Sequence, residues 1–209
     1  MQQIVPGVFA FTGLLMGRVY VLEGADGLTL IDAGIGPAAD KILKQLQGHG
    51  HSPADVRRIL ITHAHPDHVG GLARLQAATG AQVLAHEQEH QVLKGLLSNA
   101  RAVPQLSELR ADEMLSEVLN GLQVIFTPGH TLGSACFWQP EQRLLFCGDV
   151  VLHLWGLGLP FPFVTVDMAE NKRSVKKLAE LEARLVCFGH GQPLAHDAAS
   201  QLRAFAAKL

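Results

Sequence analysis

Cysteine is scarce in this 209-residue chain, and the three present, Cys136, Cys147 and Cys187, are an odd number without a CxxC pair. That leaves no disulfide framework to read. Each lies in an apolar run, so all three are expected to be buried thiols with neither a redox nor a ligand role. Excess charge is lacking too: the formal net charge is −2 and no block of like charge stands out, so nothing resembles the basic footprint of a nucleic-acid binder. No run of about 18 apolar residues suggests a membrane span. Met1 to Pro6 lacks the basic start and apolar stretch of a secretory signal, which makes a cytoplasmic location the expectation. Tyrosine occurs once and tryptophan twice, whereas histidine occurs eleven times.

At this length, 48% hydrophobic content suffices for one compact α/β domain, expected to span residues 1–209. Strands are predicted at Val8–Thr12, Val19–Leu22 and Leu28–Ile31, separated by glycines as in an antiparallel meander, and a helix over Pro37–Gln47. Ile59–Ile61 reads as a short buried strand, Val69–Thr79 as a helix, Gln82–Ala85 as a strand and Glu87–Leu97 as a helix with a polar face. The weakly periodic stretch 98–109, with Pro104, reads as a mobile connection. The second half repeats the logic. Strands are expected at Gln123–Phe126, Ala135–Trp138, Leu144–Cys147 and Leu185–Phe188, and a closing helix over Asp197–Leu209. Asp167 with Glu170 three residues on forms a capping-box pattern for a helix buried through Val175, Leu178 and Ala179. Strands then helix, twice over, predict a four-layer αββα sandwich.

The histidines are not scattered. His63, His65, Asp67 and His68 follow the Ile59 strand; His130 sits in Thr127-Pro128-Gly129-His130, Asp149 in Cys147-Gly148-Asp149, and His190 in Gly189-His190-Gly191. Each motif follows an apolar strand and has Gly or Pro beside it, so the chain can turn and aim a side chain inward. Imidazole and carboxylate are the ligands expected for zinc and related divalent ions. In an extended segment His63 and His65 point the same way, and the turn at Asp67-His68 redirects toward a second point. His49, His51, His86, His90 and His196 lie in polar or helical surroundings and read as surface residues; His153, just after Asp149, could face the site.

The HxHxDH run followed by separate His, Asp and His motifs resembles the metallo-β-lactamase superfamily, and the resemblance covers nearly the whole chain. It implies that His63, His65 and His130 hold one metal, that Asp67, His68 and His190 hold a second, and that Asp149 bridges them. It also implies that Asp32, in Leu30-Ile31-Asp32-Ala33-Gly34, supports the metal loop by hydrogen bonding. The catalytic groups would be Asp67 and Asp149, and the implied chemistry is attack by a metal-bridging hydroxide, with Asp67 or a second water moving the proton.

Asp149 separates the chain from true β-lactamases, and His65 from flavodiiron relatives, which carry Glu there. The ligand set looks like that of glyoxalase II, lactonases and phosphodiesterase-type members. Nineteen residues follow His190, where glyoxalase II has a helical glutathione-binding region, so a small thioester, lactone or other acyl ester is the expected substrate. The expected cofactors are two divalent ions, zinc first, with iron or manganese also compatible. No nucleic-acid or membrane partner is expected, and oligomeric state is open, a homodimer included. The alternatives are a mononuclear iron oxidoreductase of the persulfide dioxygenase kind, a phosphodiesterase-type member and a metal-bearing scaffold. Trp155, Phe161 and Phe163, in the Gly- and Pro-rich stretch 150–166, either wall an apolar pocket or belong to a packed surface loop.

Overall fold

A computed structural model describes residues 1–98 and 106–209. Its contacts divide the chain into two compact units: one holds Met1–Leu109 and Ser116–Asn120, the other Arg110–Leu115 and Gly121–Leu209. The architecture is α/β, with two mixed sheets flanked by helices. Of the stretch expected to be a mobile connection, residues 99–105 lie outside the described residues, whereas Leu106–Glu108 forms a strand.

In the first unit seven strands pair in chain order: β1 (Gln2–Val5), β2 (Val8–Ala10), β3 (Tyr20–Gly24), β4 (Gly27–Ile31), β5 (Val56–Leu60), β6 (Gln82–Ala85) and β7 (Leu106–Glu108). The first four form an antiparallel meander, and β4 to β7 are parallel. The turn from meander to parallel sheet is made by α1 (Ala38–Gly48), whose Ile42, Leu43 and Leu46 pack with Leu30, Ile59, Ile61 and Val83. Each such side chain, fully buried, contributes about 1.5–3 kcal/mol. The alternate residues Ile31, Leu60 and Leu84 are buried as well, which is why these strands read as continuous apolar runs rather than as an alternating pattern.

The helix expected over 69–79 starts at Leu72, as α3 (Leu72–Thr79), and a separate turn, α2 (Pro66–Val69), lies just before it. The break has a packing cause. A Cβ on Gly70 would lie 2.6 Å from the Pro66 carbonyl oxygen, and one on Gly71 would lie 2.4 Å from that of Ala33. The two glycines let the 33–36 loop press against the metal-motif loop, where Ala33 N–H donates to His68 O (2.7 Å) and Gly71 N–H to Gly34 O (3.0 Å). The unit also contains α4 (Glu87–Leu96). Buried Arg58 on β5 donates to Asp26 Oδ1 (3.1 Å) and Thr29 Oγ1 (3.3 Å) and lies 3.8 Å from Glu117 Oε1, tying segment 116–120 to this unit. That hydrogen bond, with the guanidinium charge, holds the Asp26 carboxyl below its ordinary range.

The second unit has β8 (Met114–Leu115), β9 (Leu122–Phe126), β10 (Ala135–Gln139) and β11 (Leu144–Phe146), each antiparallel to the next. Two short strands, β12 (Leu152–His153) and β13 (Leu157–Gly158), form a separate hairpin within the stretch read as loop. After α5 (Met168–Ala179), β14 (Leu185–Cys187) pairs parallel to β11, and α6 (Ala198–Ala206) closes the chain. Val175, Leu178 and Leu202 bury these two helices in one cluster with Ile125, Cys136, Leu145 and Val186. Asp167 caps α5 by accepting from Glu170 N (2.9 Å), while the Glu170 carboxylate pairs with Arg173. The capping half of the expected box is therefore present. β1, β8, β12 and β13 escaped the sequence reading because two- to four-residue strands carry too few positions to show a period. Among the described residues no helix is long and apolar enough to cross a membrane.

All three cysteines are buried, and none is in a disulfide. Burial pushes the Cys136 thiol up to about 12 from an ordinary 9.0, and that of Cys147 well above 9.0. The folded state thus keeps these thiols neutral where the unfolded chain would ionise them. Stability from this source is complete below about pH 9 and is lost as the pH rises toward 12. Native protein at pH 8 should leave an aromatic disulfide reagent unreacted, release three thiolates on unfolding in guanidinium, and show a lower urea midpoint at pH 10.5 than at pH 8. Rapid labelling of the native protein would contradict this account.

Candidate metal centre

Parallel strands β4 and β5 end side by side, Ile31 opposite Leu60, and Asp32 N–H continues the pairing to Leu60 O (2.8 Å). Asp32 turns there in the left-handed region (φ 63°), a conformation that Asp tolerates better than most residues. Its buried carboxylate accepts from Thr62 N (2.8 Å), Thr62 Oγ1 (2.8 Å) and His68 Nδ1 (2.8 Å). The supporting role implied for Asp32 is what the geometry shows.

These bonds fix tautomers. A carboxylate only accepts, so His68 carries its proton on Nδ1. The Thr62 hydroxyl spends its one proton on Asp32 and so accepts from His63 Nδ1 (3.0 Å). In the second unit Thr165 Oγ1 donates to Phe161 O (2.9 Å) and accepts from His130 Nδ1 (3.3 Å) by the same reasoning. All three imidazoles thus donate from Nδ1, which leaves Nε2 as the nitrogen that would ligate a metal, the arrangement usual for ligating histidines.

Within the first unit the His63 ring meets His65 edge-on at 4.8 Å and His68 at 4.1 Å, and a donor atom of Asp67 lies within 4.8 Å of one on His68. His65 is in extended conformation at the head of α2, and α2 returns Asp67 and His68 toward the same place. Within the second unit β9, β11 and β14 run the same way, and His130, Asp149 and His190 follow their carboxyl ends. Asp149 Oδ2 lies 3.2 Å from His190 Nε2 and 3.8 Å from His130 Nε2, while Asp67 Oδ2 lies 3.8 Å from His68 Nε2. Two donors bonded at about 2.0–2.1 Å to one tetrahedral ion stand about 3.4 Å apart. The spacing, the tautomers and the donor chemistry all fit a divalent metal.

Backbone contacts fix the second set. A Cβ on Gly129 (φ 130°) would fall 2.1 Å from Asn171 N, so α5 can approach the His130 loop only at a glycine. Val166 N–H donates to His130 O (3.1 Å) and Asp167 N–H to Gly129 O (2.8 Å), and Gly189 N–H to Gly148 O (2.7 Å) joins the Asp149 and His190 turns.

A model of the metallo-beta-lactamase superfamily matches residues 12–190. The chain belongs to that superfamily. It is 35% identical over 168 residues to a hydroxyacylglutathione hydrolase of Cereibacter sphaeroides, the match covering 76% of this chain but 59% of that enzyme. Among solved structures it is similar to the metallo-beta-lactamase family protein TTHA1429 from Thermus thermophilus, with a TM-score of 0.79, 26% identity, and 99% and 80% of the two chains covered. It is also similar to TTHA1623 in a di-iron-bound form, with a TM-score of 0.73, 30% identity, and 90% and 94% covered.

For this superfamily member the sequence reading missed three supports. Thr62 directly precedes His63, Thr165 is 35 residues from His130, and the buried Glu89 accepts from Ala64 N (2.8 Å), holding the motif loop from α4. The one available signal was Glu89 itself, a charge four residues before Leu93 on the buried stripe of α4. Of the histidines read as surface, His49 and His196 are exposed, His86 caps α4 at Gln88 N (3.4 Å), and His90 bonds Ala85 O (3.0 Å). Trp155 is 97% exposed and Phe163 84%, so the 150–166 aromatics are not ordinary core residues.

Removing the Asp32 acceptor should be costly. Asp32→Ala leaves buried donors on Thr62 and His68 unmet, at about 1–3 kcal/mol each. A total loss of about 2–5 kcal/mol is expected by urea unfolding, with smaller damage in Asp32→Asn, which keeps one acceptor oxygen. A loss below about 1 kcal/mol in the alanine variant would remove Asp32 from this role.

Proposed function

We propose that the chain is a dinuclear zinc hydrolase of small thioesters, lactones or other acyl esters, acting in the cytoplasm. In this reading His63, His65 and His130 hold one ion, Asp67, His68 and His190 the other, and Asp149 bridges. The observation that carries it is Asp149 Oδ2, which faces Nε2 atoms of both His130 and His190, one imidazole assigned to each ion. The name of the Cereibacter sphaeroides relative supports a thioester. The di-iron-bound relative supports a pair of ions and makes iron the alternative that metal analysis separates from zinc.

When bound, two divalent ions supply a nucleophilic water at neutral pH and polarise the scissile carbonyl. The chain does the rest. Nδ1 bonds to Asp32, Thr62 and Thr165 keep three imidazoles in one tautomer and orientation. Asp67 and Asp149 offset the charge of the ions, and Asp67, the more exposed of the two, carries a proton on a carboxylate oxygen to the leaving group. The β12–β13 hairpin bears an open apolar pocket of about 280 Å³ lined by Leu152, Leu154, Trp155, Leu157, Leu159 and Phe161, of a size for the apolar part of a small acyl group.

Purified protein is expected to contain about two zinc ions per chain and to turn over a member of a thioester, lactone and ester panel. Asp149→Ala should lose activity by about 100-fold or more and drop in metal content. Full activity in that variant would remove the bridging role, and one iron per chain with oxygen uptake would replace hydrolysis with oxidation.

A further inference from the structure

Of the five imidazoles assigned to the two ions, His63, His68 and His130 are buried, whereas His65 and His190 are only partly so; the His190 side chain is 22% exposed, against 0% for His68 and 1% for His130. Packing alone does not lock it. A second residue embraces its turn from both sides. His153, at the end of β12, donates its backbone N–H to His190 O (3.1 Å) and forms a parallel bridge with Gly191. Its carbonyl oxygen presses so closely on Gly191 (φ 97°) that a Cβ there would fall 1.8 Å away. Its ring packs on Phe188 (centroids 5.2 Å apart, planes at 47°), and its Nδ1 lies 2.7 Å from Gln192 O. The side chain therefore touches the chain two residues before His190 and two residues after it.

We propose that His153 is a positioning residue for the metal ligand His190: its imidazole spans Phe188 to Gln192 and holds the turn so that Nε2 of His190 faces Asp149. This rests on the two-metal reading above. A carbonyl accepts and never donates, so Nδ1 of His153 carries the proton and the bond is a directed one, N–H to O. The backbone contacts of residue 153 survive any side-chain change; what the imidazole adds is the Gln192 bond and the Phe188 packing. The hairpin that bears the apolar pocket is thereby fastened to a metal ligand at its first strand, while Thr165 and Val166, seven and eight residues beyond its second strand, fasten the same stretch of chain to His130.

Two variants separate positioning from bulk structure. His153→Leu keeps an apolar contact for Phe188 and loses the donor; His153→Asn places an amide N–H near the position of Nδ1. Zinc-loaded wild type and variants would be stripped stepwise with a chromophoric chelator, and the metal-free proteins melted. Expected is a second zinc held about 10–100-fold more weakly in His153→Leu, the first within about twofold of wild type, and recovery to within about threefold in His153→Asn. The metal-free melting temperatures should agree within a few degrees. Equal affinity for both ions in wild type and His153→Leu would overturn the proposal, as would an asparagine variant as weak as the leucine one. Weakening of both ions together with a lowered metal-free melting temperature would mark a structural residue and overturn it as well. If wild type held fewer than two ions, the two-metal reading would fall first and this inference with it.

Discussion

Three buried donors converge on the carboxylate of Asp32, and the arrangement of the first metal loop follows from the need to satisfy them. Where β4 and β5 end, the ladder that paired their backbones stops, and the next N–H groups must find acceptors without water. Asp32 meets the Thr62 N–H, and Glu89 meets that of Ala64, two residues on. Because the second oxygen of Asp32 also takes the Thr62 hydroxyl and the His68 ring, the same bonds that end the sheet set the tautomers of His63 and His68. Backbone accounting and ligand orientation are one network.

The second unit reaches a similar result by other means. Backbone approach replaces the buried carboxylate: α5 comes against Gly129, His153 against Gly191, and Gly189 bonds Gly148. Positions with no Cβ and positive φ let three turns gather at one edge of the sheet, where a bulkier residue would hold them apart. A single threonine, Thr165, does for His130 what Thr62 does for His63.

Much of this was legible in the residues. The order of the longer strands and helices, the change from meander to helix at α1, the burial of the cysteines and the His/Asp motifs at strand ends all followed from period, punctuation and donor chemistry, whereas the parallel pairing beyond α1 did not. The α2–α3 break was not, because Gly70 and Gly71 read as tolerable within a helix until the 33–36 loop is seen pressed against them. Nor was Thr165, which serves a histidine 35 positions away, and His153 stood out only as a residue that could face the site, with no sign of its contact to a turn 37 positions on. Local pattern reports what a residue can do; a partner that distant is supplied by the topology. Glu89 lies between these cases, a charge on an apolar stripe whose meaning depends on the loop it faces.

The two units trade short segments: residues 116–120 belong with the first and 110–115 with the second. Val118 bridges Gly24, Ala25 N–H bonds Glu117 O, and Glu117 stands by Arg58, so this piece is part of the first unit's fabric although the chain has already visited the second. No single scission of the polypeptide therefore yields both units whole. A fragment ending at Leu109 would lack the strip that covers Gly24, and its complement would carry that strip as an orphan. Whatever its evolutionary origin, the fold is stitched at this crossing, and severing it there would ask the two pieces to reassemble before either could be complete.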